Sequence, residues 1–356
     1  MAIQLNAEAG PSYTPAATLG GHTRAVTALR FSADAKTLVS ASADGFVHFW
    51  DAKTGVHQRA LRCHRAGIND VSLSPDGLYF CTASDDTTAL VFAADPIVEA
   101  ITTDDGIHTH ATPLRSLVGH TATVLAVAYG PRSNLLVTGS YDESAIVWDV
   151  RRGRALRTLP AHADAIWSVG WDAEGALVIT GSADGLIRLW DVNTGQCLKT
   201  LDNESNSPVS SASFTPSSFH ILAACLSSTV RVYSLHSGKV LKTLRAPEYV
   251  CERYPSPVIV YGAEIKEKAK EEPMDLDGSA APSAAPSPGR PKGPAALVVA
   301  GSENGAVIVW DLQDRRVVSV LEGHTAPVVA LAVSPNGTIA SGTLEPECSI
   351  RLWRMN

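Results

Sequence analysis

Apolar and polar residues alternate along this chain in short runs, and the runs recur in groups of four. The first group reads AVTALRFS (25–32), TLVSASA (37–43), FVHFWDA (46–52) and VHQRALR (56–62). A period of two, bounded by turn-formers, predicts half-buried β-strands. The stretches Ala-Asp-Ala-Lys, Asp-Gly and Lys-Thr-Gly supply the turns. A later group repeats the plan as AIWSVGWD (165–172), LVITGSA (177–183), LIRLWDV (186–192) and QCLKTL (196–201). A four-stranded antiparallel unit of about 40 residues cannot cover both its own faces. Radial packing lets neighbours cover each other, which predicts a β-propeller.

A second regularity sets the register. His22 and Asp44, His64 and Asp86, His120 and Asp142, and His162 and Asp184 are each 22 residues apart. Six residues after each aspartate stands an aromatic: Trp50, Phe92, Trp148, Trp190. Such a histidine can donate from one ring nitrogen to the aspartate and accept at the other from Ser40, Thr138 or Thr180. An active site is normally built once, so a constellation built four times is read as a fold device.

Seven units result. The clear ones begin near His22, His64, His120, His162 and His324; two more span about 203–244 and about 245–320. The last unit shows three strands, and Thr14–Leu19 belongs to no unit of its own. That segment is expected to supply the missing outer strand and close the ring. The domain reading is a flexible N-terminus at 1–13 and one propeller over 14–356. It carries a polar insertion at about 95–112 and a disordered surface loop at about 262–294. That loop is rich in Pro, Ala, Ser and charge and contains the mixed-charge run 267–272.

Composition narrows the class further. Hydrophobic residues make up 45% and charged residues 18%, as in a globular protein. A formal net charge of −7 argues against broad binding to nucleic-acid phosphates. Cys63, Cys81, Cys197, Cys225, Cys251 and Cys348 form no CxxC pair and are read as reduced packing thiols of an intracellular protein. The start MAIQLNAEAGPSYTP lacks a basic-then-apolar pattern, so no secretory signal is expected. No apolar run approaches the ~18 residues of a membrane span. There is no G-x-S-x-G, Walker A loop or G-x-G-x-x-G, so no enzyme and no cofactor are expected. His108-x-His110 lacks further ligands, so no metal is expected either.

The register also locates the channel mouth. Five residues after each histidine come Thr27, Asn69, Leu125, Trp167, by alignment Ser210, and Val329. The residues before the turn aspartates are Ala43, Asp85, Tyr141 and Ala183. An acid with two aromatics suits a cationic side chain of a peptide. Equally, Trp167 and Tyr141 would simply plug the channel.

The Gly-His starts and Trp-Asp endings resemble the WD40 repeat, with Phe-Ala in place of Trp-Asp in the second block. The stretches 139–162, 184–201, 301–313 and 339–353 resemble one family in particular, the WD40 core subunit of COMPASS- and MLL-type histone H3 lysine methyltransferase complexes. The resemblance covers about residues 15–245 and 295–356. It implies a seven-bladed WD40 propeller that holds a partner's arginine at the channel mouth. The corresponding positions here are Thr27, Ala43, Asn69, Asp70, Asp85, Leu125, Tyr141, Trp167, Ala183, Ser210, Val329 and Leu344. The first of the family's two sandwiching rings falls at Leu125, and the second near Pro257. A second partner face is implied at Ser217, His220, Val232, Lys242, Val260 and Gln313. The implied function is a nuclear, non-catalytic scaffold, monomeric within a hetero-oligomer. Its partners would be a SET-domain methyltransferase subunit, other complex subunits and the histone H3 tail, with no direct nucleic-acid or membrane contact. The alternative is a WD40 adaptor of another complex, a ubiquitin-ligase substrate receptor or an RNA-processing subunit.

Overall fold

The computed structural model of the chain describes residues 12–95, 98–103, 106–203, 206–262 and 296–355. The expectations for residues 1–11 and for 263–294 lie outside those residues. Every regular element described is a strand, so no helix is long and apolar enough to cross a membrane. The strands form seven sheets arranged as the blades of a propeller. The innermost strands are Val26–Phe31, Ile68–Leu73, Val124–Tyr129, Ile166–Trp171, Val209–Phe214, Val258–Tyr261 and Val328–Val333.

Burial grades outward across each blade for a simple reason. A second strand such as Leu135–Ser140 lies between neighbours on both faces, and every residue after the first is buried. An outer strand such as Arg154–Pro160 encloses only Leu159. The core therefore lies between blades. Leu117 and Val91 of the second blade pack with Leu136, Ile146 and Trp148 of the third. Val147 and Leu159 of the third pack with Ile166, Val178 and Trp190 of the fourth. Each such side chain contributes about 1.5–3 kcal/mol on burial, and only the neighbouring blade makes that burial complete.

The N-terminal strand closes the ring. Tyr13–Leu19 runs antiparallel to Ile350–Met355, with Leu19 opposite Ile350 and Thr14 opposite Arg354. Leu19 is buried in a cluster with Trp50 and Leu352, so first and last blades share one core.

The insertion near 95–112 has a definite place. Val98–Thr103 and Gly106–Ala111 form a hairpin, which joins the outer edge of the first blade through a parallel step, His110 opposite Arg62. The chain then returns as Arg115–Val118 to give the second blade its own outer strand.

The turn after each second strand needs a left-handed residue. Gly45 takes φ +83°, and a Cβ there would sit 2.7 Å from the His64 carbonyl oxygen. The second and third blades have no glycine there, and Thr87 and Glu143 adopt φ 71° and 67°.

Candidate functional site

The repeated histidines lie in hydrogen-bonded chains beneath the upper rim. In the third blade His120 Nδ1 donates to Asp142 at 2.9 Å, and the Thr138 hydroxyl donates to Nε2 at 2.7 Å. The same hydroxyl oxygen accepts from the Trp148 indole at 2.8 Å. The chain recurs as Asp44–His22–Ser40–Trp50 and Asp184–His162–Thr180–Trp190. In the second blade it stops at Thr82, because Phe92 has no N–H to add. The seventh blade substitutes Glu347, which accepts from His324 at 2.7 Å, with Ser341 and Trp353 completing the chain.

The titration behaviour follows from this. Burial raises Asp86 and Glu347, but hydrogen bonds from their histidines and neighbouring hydroxyls outweigh it and hold both at about 2. Burial pushes His120, His162 and His324 below the ordinary histidine value, against the pull of their carboxylates. A group held neutral and fully bonded in the rim wall has no free lone pair for catalysis.

Blades five and six close the rim by other means. Asn203 takes the histidine's place and donates to the Gly185 and Ser207 carbonyls at 3.1 and 2.5 Å. In blade six Ala300 replaces the hydroxyl, and Tyr249 packs edge-on to Trp310 at 5.3 Å. A carboxylate oxygen of Glu303 accepts from the backbone N–H of Glu252, Arg253 and Tyr254 at 2.5, 2.6 and 3.0 Å. That cradle holds the irregular approach to the sixth inner strand.

The inner strands surround a channel of about 860 Å³, whose lining includes Asn69, Asp70, Leu125, Trp167, Ser210 and Val329. Most of the polar positions expected to meet a ligand are engaged between blades. Thr27 donates to the Ile68 carbonyl at 2.7 Å, and Asn69 to the Val124 carbonyl at 3.0 Å. Ser210 donates to the Ser256 carbonyl at 3.3 Å and is itself buried. Asp70 accepts from Arg30 at 2.9 Å and from the Val127 N–H at 3.0 Å, in the channel wall rather than at its mouth. Asp85 is exposed on the rim, steadied by Asn69 at 2.8 Å. Tyr141, on the next blade, is 63% exposed. Trp167 lines the channel one blade further on. Ala43, Ala183 and Leu344 are half-buried rim positions with no side-chain polar group to offer.

Comparison with known proteins decides the family. The WD40 family, "WD domain, G-beta repeat", matches at residues 13–51, 55–92, 111–149, 153–191, 195–234 and 315–354. The chain belongs to the WD40 repeat family. Curated relatives of this WD40 protein include "Ribosome biogenesis protein WDR12 homolog" of Drosophila sechellia, 35% identical over 37% of this chain and 34% of the relative. They also include "Nuclear distribution protein nudF" of Aspergillus niger, 30% identical over 40% of this chain and 34% of the relative. "WD repeat-containing protein 1" of Mus musculus is 38% identical over 23% of this chain and 14% of the relative. The matches therefore span about a third or less of these WD40 relatives' lengths.

The lower face departs from expectation. Val232 is fully enclosed in the core between blades five and six, and the His220 side chain is buried, while its backbone N–H donates to the Thr215 hydroxyl. Neither side chain is placed to meet a partner, because that position of a central strand has a blade on each side. Lys242 is engaged as well: its ammonium donates to the Leu312 carbonyl at 2.8 Å. Ser217 and Val260 are half-buried and Gln313 is exposed. Phe219, between Ser217 and His220, is 69% exposed, and no spacing or motif in the sequence marks it.

Lys242 is one member of a series. In five blades the same outer-strand register carries a cation that reaches the next blade's outer turn. Arg59 bonds the Ala94 carbonyl, Arg115 that of Arg151, Arg157 that of Asn193, and Lys199 that of Leu235. At the closing junction of this WD40 ring Arg354 reaches the Lys53 carbonyl instead. The signal was present in sequence, as a cation 42 residues apart at 115, 157 and 199, but it lies on an exposed strand where charge is unremarkable. Among the described residues no group of His, Cys, Asp and Glu is arranged to hold a metal ion; the His108 side chain lies outside them.

Proposed function

We propose that this WD40 protein is a non-catalytic adaptor that holds a short segment of a partner at its upper channel mouth. The observation that carries the reading is the trio Asp85, Tyr141 and Trp167 on three successive blades, with Asp85 oriented by Asn69. An exposed rim carboxylate, with an exposed tyrosine on the next blade and a channel-lining tryptophan on the one after, favours a cationic side chain. The histidines and acids that would otherwise suggest chemistry are bonded into the rim.

Two kinds of assembly fit an adaptor of this build. The relatives named for ribosome biogenesis support an RNA-processing assembly in the nucleus. The block-by-block resemblance to the COMPASS/MLL core subunit supports a histone H3 lysine methyltransferase scaffold, partnered by a SET-domain subunit and the histone H3 tail. The named relatives favour the first reading over the second.

The test is affinity purification of the native protein with identification of partners by mass, repeated with Trp167→Ala and Asp85→Ala. Ribosome-assembly factors support the first assembly, and a SET-domain subunit supports the second. Recovery of every partner unchanged by both substitutions overturns the channel-mouth reading. Turnover by the isolated protein overturns the non-catalytic one.

A further inference from the structure

The third blade carries a dense basic corner on a chain whose formal net charge is −7. Arg115, Arg132, Arg151, Arg152, Arg154 and Arg157 are all exposed. The folded chain brings them together from three elements. Val150 N–H donates to the Asn134 carbonyl at 3.1 Å, joining the turn of Arg151 and Arg152 to the turn of Arg132. Arg115 crosses from the second blade and donates twice to the Arg151 carbonyl, at 3.2 and 3.1 Å. Arg154 stands opposite Asp149 across the strand pair.

The acids here are mostly engaged. Asp149 is paired with Arg152 at 2.8 Å. Asp172 accepts the N–H of Ala176 and Leu177, and Asp191 that of Thr194. Asp76 joins the Arg132 turn through Ser133 and accepts from Ser74 and Leu78 in its own turn. Six guanidiniums thus face the five carboxylates Asp76, Asp149, Asp172, Glu174 and Asp191, four of them bonded within their own turns.

Beside this corner, between blades three and four, lies a cavity of about 350 Å³. Its walls include Pro131, Leu135, Trp171 and Val192, together with Arg132 and Glu174. Arg157 is tied to Asn193 in the same wall at 3.1 Å. The lining is thus mixed, with Arg132, Asn134, Glu174 and Asn193 among the apolar residues, and the corner's other guanidiniums stand beside it. That arrangement matches an apolar side chain flanked by carboxylates.

We propose that this lower corner docks an acidic linear peptide of a partner protein, one apolar side chain seated in the cavity and its carboxylates on the arginines. The proposal rests on the adaptor reading and names a second contact for it. Single-stranded nucleic acid is the less suited occupant. It needs aromatic stacking platforms along a basic track. Here Trp171 is half-buried with its N–H on the Ala128 carbonyl, so its ring offers no open stacking platform.

The test uses the full chain and a short fluorescein-labelled peptide of alternating Asp and Glu around one Leu, read by anisotropy. Oligouridylate of equal length is the comparison. Arg132→Glu/Arg154→Glu leaves the blade-to-blade bonds in place, and its melting curve should match the parent's. We expect that variant to weaken peptide binding about tenfold or more, and salt at ~0.5 M to do likewise. Replacing the Leu by Gly should weaken binding further, which a purely electrostatic patch would not give. Equal binding by parent and variant overturns the proposal, as does oligouridylate binding as tight as the peptide. The adaptor reading is judged separately, by partner recovery with Trp167→Ala.

Discussion

Lys242 Nζ donates to the main-chain carbonyl of Leu312 at 2.8 Å, across the junction of the fifth and sixth blades. A turn at the end of two strands leaves carbonyls without ladder partners, and a flexible cation on the neighbouring outer strand satisfies them. Because the register repeats with each blade, a cation at that one position repeats the clasp at five successive junctions.

Removing a clasp should loosen one junction without disturbing either blade. Arg157→Ala and Lys242→Ala are each expected to cost about 0.5–1.5 kcal/mol. Urea unfolding checks this. Lys239→Ala, an exposed lysine three residues before Lys242, is expected to fall within error. Equal effects of Lys239 and Lys242 would remove the clasp from the account.

The hydroxyl in the rim chains is the shared node. Thr138→Val leaves His120 Nε2 and the Trp148 indole unpaired, for an expected loss of about 1–3 kcal/mol. Thr82→Val orphans only His64, since Phe92 makes no bond, and should cost less. The two denaturation curves give the ordering directly.

Ring closure depends on the N-terminal strand. Deleting residues through Leu19 exposes the edge of Ile350–Met355 and removes Tyr13 and Leu19 from the core. Those two side chains alone represent about 3–6 kcal/mol of burial. Calorimetry should show a much lower melting temperature, and size-exclusion chromatography a shift to larger species from the open edge. An unchanged melting temperature would contradict closure.

Stability should fall below neutral pH in two stages. His48 is stacked on His22 with ring centroids 4.1 Å apart. Burial, then the charges of His22 and His57, press its value to about 3 from an ordinary 6.5. The unfolded chain therefore binds more protons below about 6.5, so stability is complete above that pH and declines as pH falls toward about 3. His120, His162 and His324 shift in the same direction. Asp86 and Glu347, held at about 2, add a further loss as pH drops through the ordinary carboxylate range toward that value. His48→Leu should flatten the first stage in melting temperatures measured from neutral to mildly acidic pH. A slope identical to the parent's would place the effect elsewhere.

The mouth positions show how far the repeat register carries. Counting from His22 and Asp44 reached the inner strands, and Asn69, Leu125, Trp167, Ser210 and Val329 do line the channel. What those side chains touch was not readable in the same way. Thr27, Asn69 and Ser210 bond carbonyls of the next blade, 41 to 55 residues away in the chain. Val232 reads as a strand residue in sequence, and only a neighbouring blade shows that both its faces are covered.

By itself, the sequence determined the repeat, the number of blades, the strand-turn plan and the histidine–carboxylate pairing. Each of these depends on residues within one unit or on a fixed spacing. Tertiary structure decided the rest: which polar groups remain free, which cations fasten one blade to the next, and where the six arginines of the third blade's corner gather. Those outcomes depend on contacts between units. A blade's outward chemistry is set by what its neighbour has already satisfied, and spacing along one chain does not carry that information.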